Sequence, residues 1–453
     1  MTEVAPAELR RLDPGDSHRA FVPGGEYHRR PAGVDYVETE WLASGTDDDG
    51  HSYTTQVYVR LPRDPALFSG TVLVEPLHAS GIAPIFMYSS PYVLRSGHGW
   101  VCVASQKSAL DTHVKPVSPE RYAALHIASA APAPTMARPG PDRRDRNASG
   151  NLGAFLQELL RYNHASDAIL AQVGAAIRGS NGPFTGVRHV LLAGHSQTGS
   201  VVTNYIVNGH RSHRLADGSS VFDGYLPTGC PTERFGPREV PIIQVISEGD
   251  VADPGTWFHD GGEPRHYRRP DSDDPGDRYR LYELAGVPHM GTRYPPHNNT
   301  AFWIEFGDAA SLTPDHVMNS LPHNELFDVT LDHLVRWVVE GTTPPKADRI
   351  EVTADGTFAQ DSHGNSVGGV RCVQLDVPRA RYYSTPLGAA GNPTFSTIGF
   401  EIPFDAATMK QEYGDSAGYA ERFGRRLDEI VRAGWLLPQD ADAMRSDIQA
   451  ATW

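Results

Sequence analysis

The sequence predicts an α/β protein built on a mainly parallel, doubly wound sheet with helices on both faces. Three observations carry this. Short apolar runs alternate with segments of helical period. One such run, Val190-Leu191-Leu192-Ala193, enters the turn Gly194-His195-Ser196-Gln197-Thr198-Gly199, which opens a helix. Two later runs each end in residues suited to proton chemistry.

In chain order, strands are expected at Tyr36 to Ala43, Tyr53 to Leu61 and Thr71 to Glu75, separated by turn-rich segments such as Gly45 to Gly50. Trp100 to Ala104 is a short continuous apolar run of the kind a central parallel strand gives. Leu152 to Ile177 carries apolar residues at helical spacing and suits a crossover helix. Val187 to Ala193 is the strand that feeds the turn, and Val201 to Val207 continues as a helix. Strands follow at Val240 to Ile246 and Tyr279 to Ala285, with a Gly/Pro/Asp/Arg-rich surface excursion, Asp253 to Asp277, between them. Leu326 to Val339 reads as an amphipathic helix stopped by Gly341 and Pro344-Pro345. The rest opens with strand-like Ile350 to Thr353 and closes with a helix near Tyr419 to Ala433.

With 453 residues and 39% hydrophobic content, the chain can bury a large core. We divide it into a core, residues 1–345, with loop excursions near 105–150, 251–278 and 290–323, and a C-terminal extension, 346–453, packed on that core. A formal charge of -15 and the lack of a Lys/Arg block argue against nucleic acid. The N-terminus lacks an apolar h-region and no run reaches the length of a membrane span, so a cytoplasmic protein without a membrane partner is expected. Cys102, Cys230 and Cys372 are far apart and odd in number, which fits reduced, buried thiols. The twenty histidines form no H-E-x-x-H or other metal-ligand spacing, and neither G-x-G-x-x-G nor a P-loop occurs, so no metal and no cofactor are expected.

The turn at Ser196 reads as a nucleophile elbow, a strand-to-helix reversal tight enough to strain the serine backbone and expose its hydroxyl. Gly194 meets the demand for a small residue two before the serine; Thr198 stands where G-x-S-x-G has its second glycine, and Gly199 comes one later. A serine hydroxyl is a poor nucleophile at neutral pH, so it needs a base and a carboxylate that orients the base. The strand ending in Ser247-Glu248-Gly249-Asp250 supplies the acid, and the strand running into Gly286-Val287-Pro288-His289 supplies the base, in the order Ser, Asp/Glu, His. Asp250 is favoured because Gly249 lets the chain turn sharply before it; Glu248 is the alternative acid. His333, inside the expected amphipathic helix, is the rival base. The oxyanion hole is expected to take the Gln197 N–H and a second N–H from Leu77 or His78.

These residues resemble the α/β-hydrolase superfamily, and more narrowly a group of large bacterial α/β-hydrolase domain proteins whose elbow is similar to Gly194-His195-Ser196-Gln197-Thr198. Leu73-Val74-Glu75, the 247–250 strand end, Trp337, Gly341 and the Gly-rich string Asp361 to Arg371 share the resemblance, which covers most of the chain. The string reads as a structural turn that sets Arg371 and Cys372 against the core. The resemblance implies the α/β-hydrolase fold and serine-hydrolase chemistry through Ser196, His289 and Asp250 or Glu248, without a cofactor. It does not imply a substrate. The expected reaction is cleavage of a small-molecule carboxylic ester or lactone through an acyl-enzyme. Acyl transfer on the same residues, or a non-catalytic binding protein on a hydrolase scaffold, are the alternatives.

Overall fold

The structure, a computed structural model, describes residues 2–13, 19–24, 33–128, 164–179, 182–231, 235–251, 267–299, 317–354, 357–385 and 397–450. Ten strands form one sheet: β1 (Glu8–Leu12), β2 (Tyr36–Thr46), β3 (Ser52–Pro62), β4 (Thr71–Pro76), β5 (Gly99–Val103), β6 (His189–His195), β7 (Gly224–Thr228), β8 (Ile242–Ser247), β9 (Ser272–Asp274) and β10 (Asp277–Leu284). Their order is β9-β10-β8-β7-β6-β4-β5-β3-β2-β1. From β10 to β5 all neighbours are parallel, and the flanking pairs are antiparallel. A parallel block brings the carboxyl ends of its strands to one edge, where an open α/β sheet gathers its chemistry.

The parallel strands are continuous apolar runs because both faces are covered; every residue of β4, β5 and β8 is buried. Strand β7 is the one parallel strand the sequence reading lacks. It is five residues long and contains Pro227, which cannot donate to a ladder and so argues against a central strand. It nevertheless lies between β6 and β8, with Pro227 opposite Gly194.

Among the described residues, four helices of eight or more residues flank the sheet: α1 (Pro84–Arg95), α2 (His164–Arg178), α3 (Gln197–Asn204) and α4 (His323–Val339). Helix α1 packs against α4, and α2 against α3. The crossover helix expected from Leu152 is described from His164 onward; its first part lies outside the described residues. Helix α3 continues in a wider turn, Tyr205–Gly209. Glu75, buried at the end of β4, holds the start of α1: its carboxylate accepts from Ile85 N–H (2.7 Å), Phe86 N–H (3.0 Å) and Trp100 Nε1–H (3.0 Å). Burial pushes this carboxyl up to about 7 against those bonds and the nearby Arg60. Part of the expected excursion before β10 folds back as the edge strand β9, and residues 252–266 lie outside the described residues.

Strand β11 (Val317–Met318), just before α4, joins β12 (Ala380–Tyr383) and β13 (Phe400–Pro403), beyond it, in a small antiparallel sheet. Helices α5 (Ala406–Tyr413), α6 (Ser416–Arg432) and α7 (Pro438–Ala450) follow. Asp405 and Asp415 cap α5 and α6 by accepting Thr408 N–H and Gly418 N–H. Tyr419, Phe423, Leu427, Ile430 and Met444 form their own apolar cluster. Arg95 of α1 grips Asp440 with two bonds (3.0 and 3.1 Å), and His333 Nε2 bonds Gly434 O at 2.8 Å. His333 is therefore occupied in a buried tie to the C-terminal helices, and burial pushes it down to about 4. Arg371 bonds Asp376 (2.7 Å) and Asp361 (3.1 Å). The three cysteines are buried and form no disulfide among the described residues. No helix among the described residues is long and apolar enough to cross a membrane.

Candidate active site

Strand β6 ends at His195 and α3 begins at Gln197, so the whole reversal falls on Ser196. Its φ of 60° is the only positive value on a non-glycine among the described residues. Such a conformation costs about 1–3 kcal/mol and persists only where the surroundings over-determine it. They do so here. Ser196 N–H donates to Thr228 O (2.9 Å), and Ser196 O accepts from Ser200 N–H (3.0 Å). A Cβ on Gly194 would come within 2.3 Å of Thr198 O, which explains the glycine before the serine.

The departure at Thr198 has a physical reason. The buried Thr198 hydroxyl donates to His195 O (2.8 Å) and accepts His195 N–H (3.0 Å), closing the turn with its own side chain. The close approach that demands a second glycine falls one residue later. A Cβ on Gly199 would lie 2.2 Å from Thr228 O of β7.

At the end of β8 the two candidate carboxylates separate. Asp250 Oδ1 lies 2.5 Å from His289 Nδ1, while Oδ2 accepts both the N–H and the hydroxyl of Ser247 at 2.8 Å. Glu248 is buried and turned to other partners: it accepts Gly286 N–H (2.6 Å) and the Ser384 hydroxyl (3.0 Å). Burial raises the Glu248 carboxyl above the ordinary carboxylate range, with the Ser366, Gly286 and Ser384 bonds opposing. Gly249 matters for close approach rather than for a sharp turn. Its φ is not positive, and a Cβ there would lie 2.9 Å from His289 N.

With Nδ1 facing a carboxylate, His289 carries its proton there and leaves Nε2 as an acceptor. The Asp250 side chain is 3% exposed and the His289 ring 11%, so the carboxylate is sealed while the ring keeps an open edge. His195 backs that ring. The two imidazoles stack at 4.6 Å, His195 Nε2 donates to His289 O (3.1 Å), and His195 Nδ1 bonds the Thr228 hydroxyl (2.8 Å). Gly229, at φ 61°, leaves room for both rings, since a Cβ would sit 2.6 Å from His195 and 3.0 Å from His289. His323 stacks on Phe327 behind them, and Tyr88 meets His195, His323 and Phe327 edge-on.

Burial, reinforced by His289, pushes His195 well below the ordinary histidine range and His323 down to about 3. The sequence reading assigned nothing to His195 or His323. His195 could have been noticed from its place beside the serine; His323 has no local signal. Tyr88 of α1 thus lies against these rings, whereas Phe86, two residues before it, stacks on Trp100.

The loop after β4 is locked to the elbow by two glutamines. Gln106 Nε2 donates to Leu77 O (2.9 Å) and Gln197 Oε1 (3.1 Å), Gln197 Nε2 returns a bond to Gln106 Oε1 (2.5 Å), and Gln197 Oε1 also accepts Ala79 N–H (3.2 Å). The two backbone donors expected here are engaged elsewhere. Leu77 N–H donates to Val103 O (2.8 Å) and His78 N–H to Ile82 O (3.0 Å), because the loop closes on itself and on the end of β5. Among the described residues no group of three or more His, Cys, Asp or Glu side chains is arranged to hold a metal ion.

A family model described as an alpha/beta hydrolase domain matches residues 11–446. No curated protein matches the sequence. Among solved structures, the chain is similar to the poly(3-hydroxybutyrate) depolymerase LpqC of Bordetella parapertussis, at 13% identity over 69% of this chain and 92% of that one, with a TM-score of 0.33. It is also similar to an α/β serine hydrolase without a lid from Xanthomonas campestris, at 10% identity over 48% of this chain and 73% of that one, with a TM-score of 0.25. With the match running over nearly its whole length, the chain belongs to the alpha/beta hydrolase domain family.

Proposed function

We propose that this hydrolase cleaves a carboxylic ester or lactone with Ser196 as nucleophile, His289 as general base and acid, and Asp250 as the group that orients His289. The observation that carries the reading is the 2.5 Å contact between Asp250 Oδ1 and His289 Nδ1, beyond strands that share an edge with the strained Ser196 turn. His289 Nε2 takes the Ser196 proton as Oγ attacks the carbonyl carbon, and Gln197 N–H receives the developing oxyanion. As the tetrahedral intermediate collapses, His289 returns the proton to the leaving alkoxide, giving an alcohol and an acyl-serine. Water, deprotonated by the same nitrogen, then releases the acid and restores Ser196. Asp250 stays ionised throughout and stabilises the imidazolium.

A panel of p-nitrophenyl esters, lactones and amides, run beside the Ser196→Ala protein, tests this. Turnover of an ester or lactone is expected, with a loss of about 10³-fold or more in Ser196→Ala. The variant should still fold, because removing one turn hydroxyl leaves no core cavity. A Ser196→Ala protein with near-native rates would refute the serine mechanism.

A further inference from the structure

An oxyanion is stabilised by donors already in place when charge develops, and acyl transfer ordinarily uses two. In the reading above the first is Gln197 N–H, which opens α3 and so has no acceptor within its own helix. The second has to come from the loop after β4, which reaches the elbow through the Ala79–Gln197 bond. Every backbone donor from residue 77 to 81 is already committed there. Leu77 N–H goes to Val103 O (2.8 Å), His78 N–H to Ile82 O (3.0 Å), Ala79 N–H to Gln197 Oε1 (3.2 Å), Ser80 N–H to His78 Nδ1 (3.1 Å) and Gly81 N–H to His78 O (2.8 Å).

The same bonds prepare a side-chain donor. His78 Nδ1 faces both the N–H and the hydroxyl of Ser80, the latter at 2.6 Å, so it can only accept. The ring proton therefore sits on Nε2, which has no hydrogen-bond partner among the described residues. His78 is partly exposed, and the next residue, Ala79, bonds the side chain of Gln197, the residue after Ser196. Burial, then His289 and His113, pushes His78 down from the ordinary histidine range, in keeping with the neutral ring that the Ser80 contacts require.

We propose that the imidazole of His78, through Nε2–H, is the second oxyanion donor, in place of a backbone N–H. The inference rests on the serine-hydrolase reading and adds a residue that touches the reacting oxygen. His78 is no competing base, because its one lone-pair nitrogen is already filled by Ser80.

Three variants of the full chain test it, His78→Ala, His78→Gln and His78→Asn, with p-nitrophenyl butyrate as substrate and phenylboronic acid as a tetrahedral-adduct probe. His78→Ala should lower kcat by about 100-fold with KM within about threefold, the usual cost of one oxyanion donor. Its Ki for the boronic acid should rise in parallel, a readout that a purely structural role would not move in step with kcat. An amide nitrogen of Gln falls near the Nε2 position and that of Asn near Nδ1, so His78→Gln should recover at least about tenfold over His78→Asn. That pair keeps the test alive if His78→Ala folds poorly. If His78→Ala keeps kcat and Ki within about twofold while Ser196→Ala is dead, the second donor is backbone and the inference is wrong. If the wild type neither turns over the ester nor binds the boronic acid, or Ser196→Ala stays active, the serine reading fails and His78 falls with it.

Discussion

Glu248 and Asp250 leave strand β8 two residues apart, yet their carboxylates meet different partners. Glu248 accepts a backbone N–H from the turn after β10 and a hydroxyl from Ser384, so it rivets two chain segments together. Asp250 spends one oxygen on Ser247 and gives the other to an imidazole. Glu75, at the end of β4, belongs with Glu248: all its bonds go to the start of α1 and to Trp100. A buried carboxylate at a strand end is thus not by itself a sign of chemistry. The imidazole partner separates the site from the scaffold.

Substitutions at these positions should split function from stability. Asp250→Asn should lower kcat by about 10³- to 10⁴-fold at a nearly unchanged melting temperature, because an amide neither fixes the His289 tautomer nor stabilises its charged form. Glu248→Gln should do the opposite, with kcat within about threefold of wild type and melting lowered by roughly 2–4 °C. Steady-state rates and calorimetry on the same preparations check both. Equal effects of the two changes would erase the distinction.

Gly249→Ala comes next. Its Cβ would press on His289 N at 2.9 Å, and backbone cannot yield like a flexible side chain, so His289 shifts against Ser196. A loss of about 10- to 100-fold in kcat is expected. Thr198→Val should act on stability instead, costing about 1–3 kcal/mol in denaturant unfolding because His195 N–H is left buried without its acceptor.

The smallest effect is expected from the ring behind the site. In the folded chain His323 is pushed down to about 3, so below the unfolded histidine value of about 6.5 the unfolded chain binds the extra proton. The contribution of a neutral His323 is thus present above about pH 6.5 and is lost as pH falls. The melting temperature of His323→Phe should therefore drop less than that of the wild type between pH 7.5 and 5. An identical drop would show that His323 is not held neutral.

The residues that meet at Asp250 and His289 were legible because each follows an apolar run, and an apolar run in a parallel sheet delivers its end to the shared edge. The contact that sets Asp250 apart from Glu248 was not legible. The reason given from sequence, a sharp turn at Gly249, differs from the one observed, room for His289 N. Strand β7 hid behind Pro227, since a missing donor normally marks an edge. The engaged N–H groups of Leu77 and His78 depend on Val103 and on the return of the loop at Ile82, contacts that no local pattern encodes. The same holds for His323, brought behind His195 by a helix more than a hundred residues away in sequence.

The central claim is that Ser196 is an activated nucleophile. Treatment with a fluorophosphonate, followed by peptide mass spectrometry, tests it without knowledge of the substrate, because such reagents bond only to a serine whose proton is being withdrawn. The account predicts a single adduct on Ser196, absent in Ser196→Ala and formed far more slowly in Asp250→Asn. A wild-type chain that stays unlabelled, or one labelled at another serine, would contradict it.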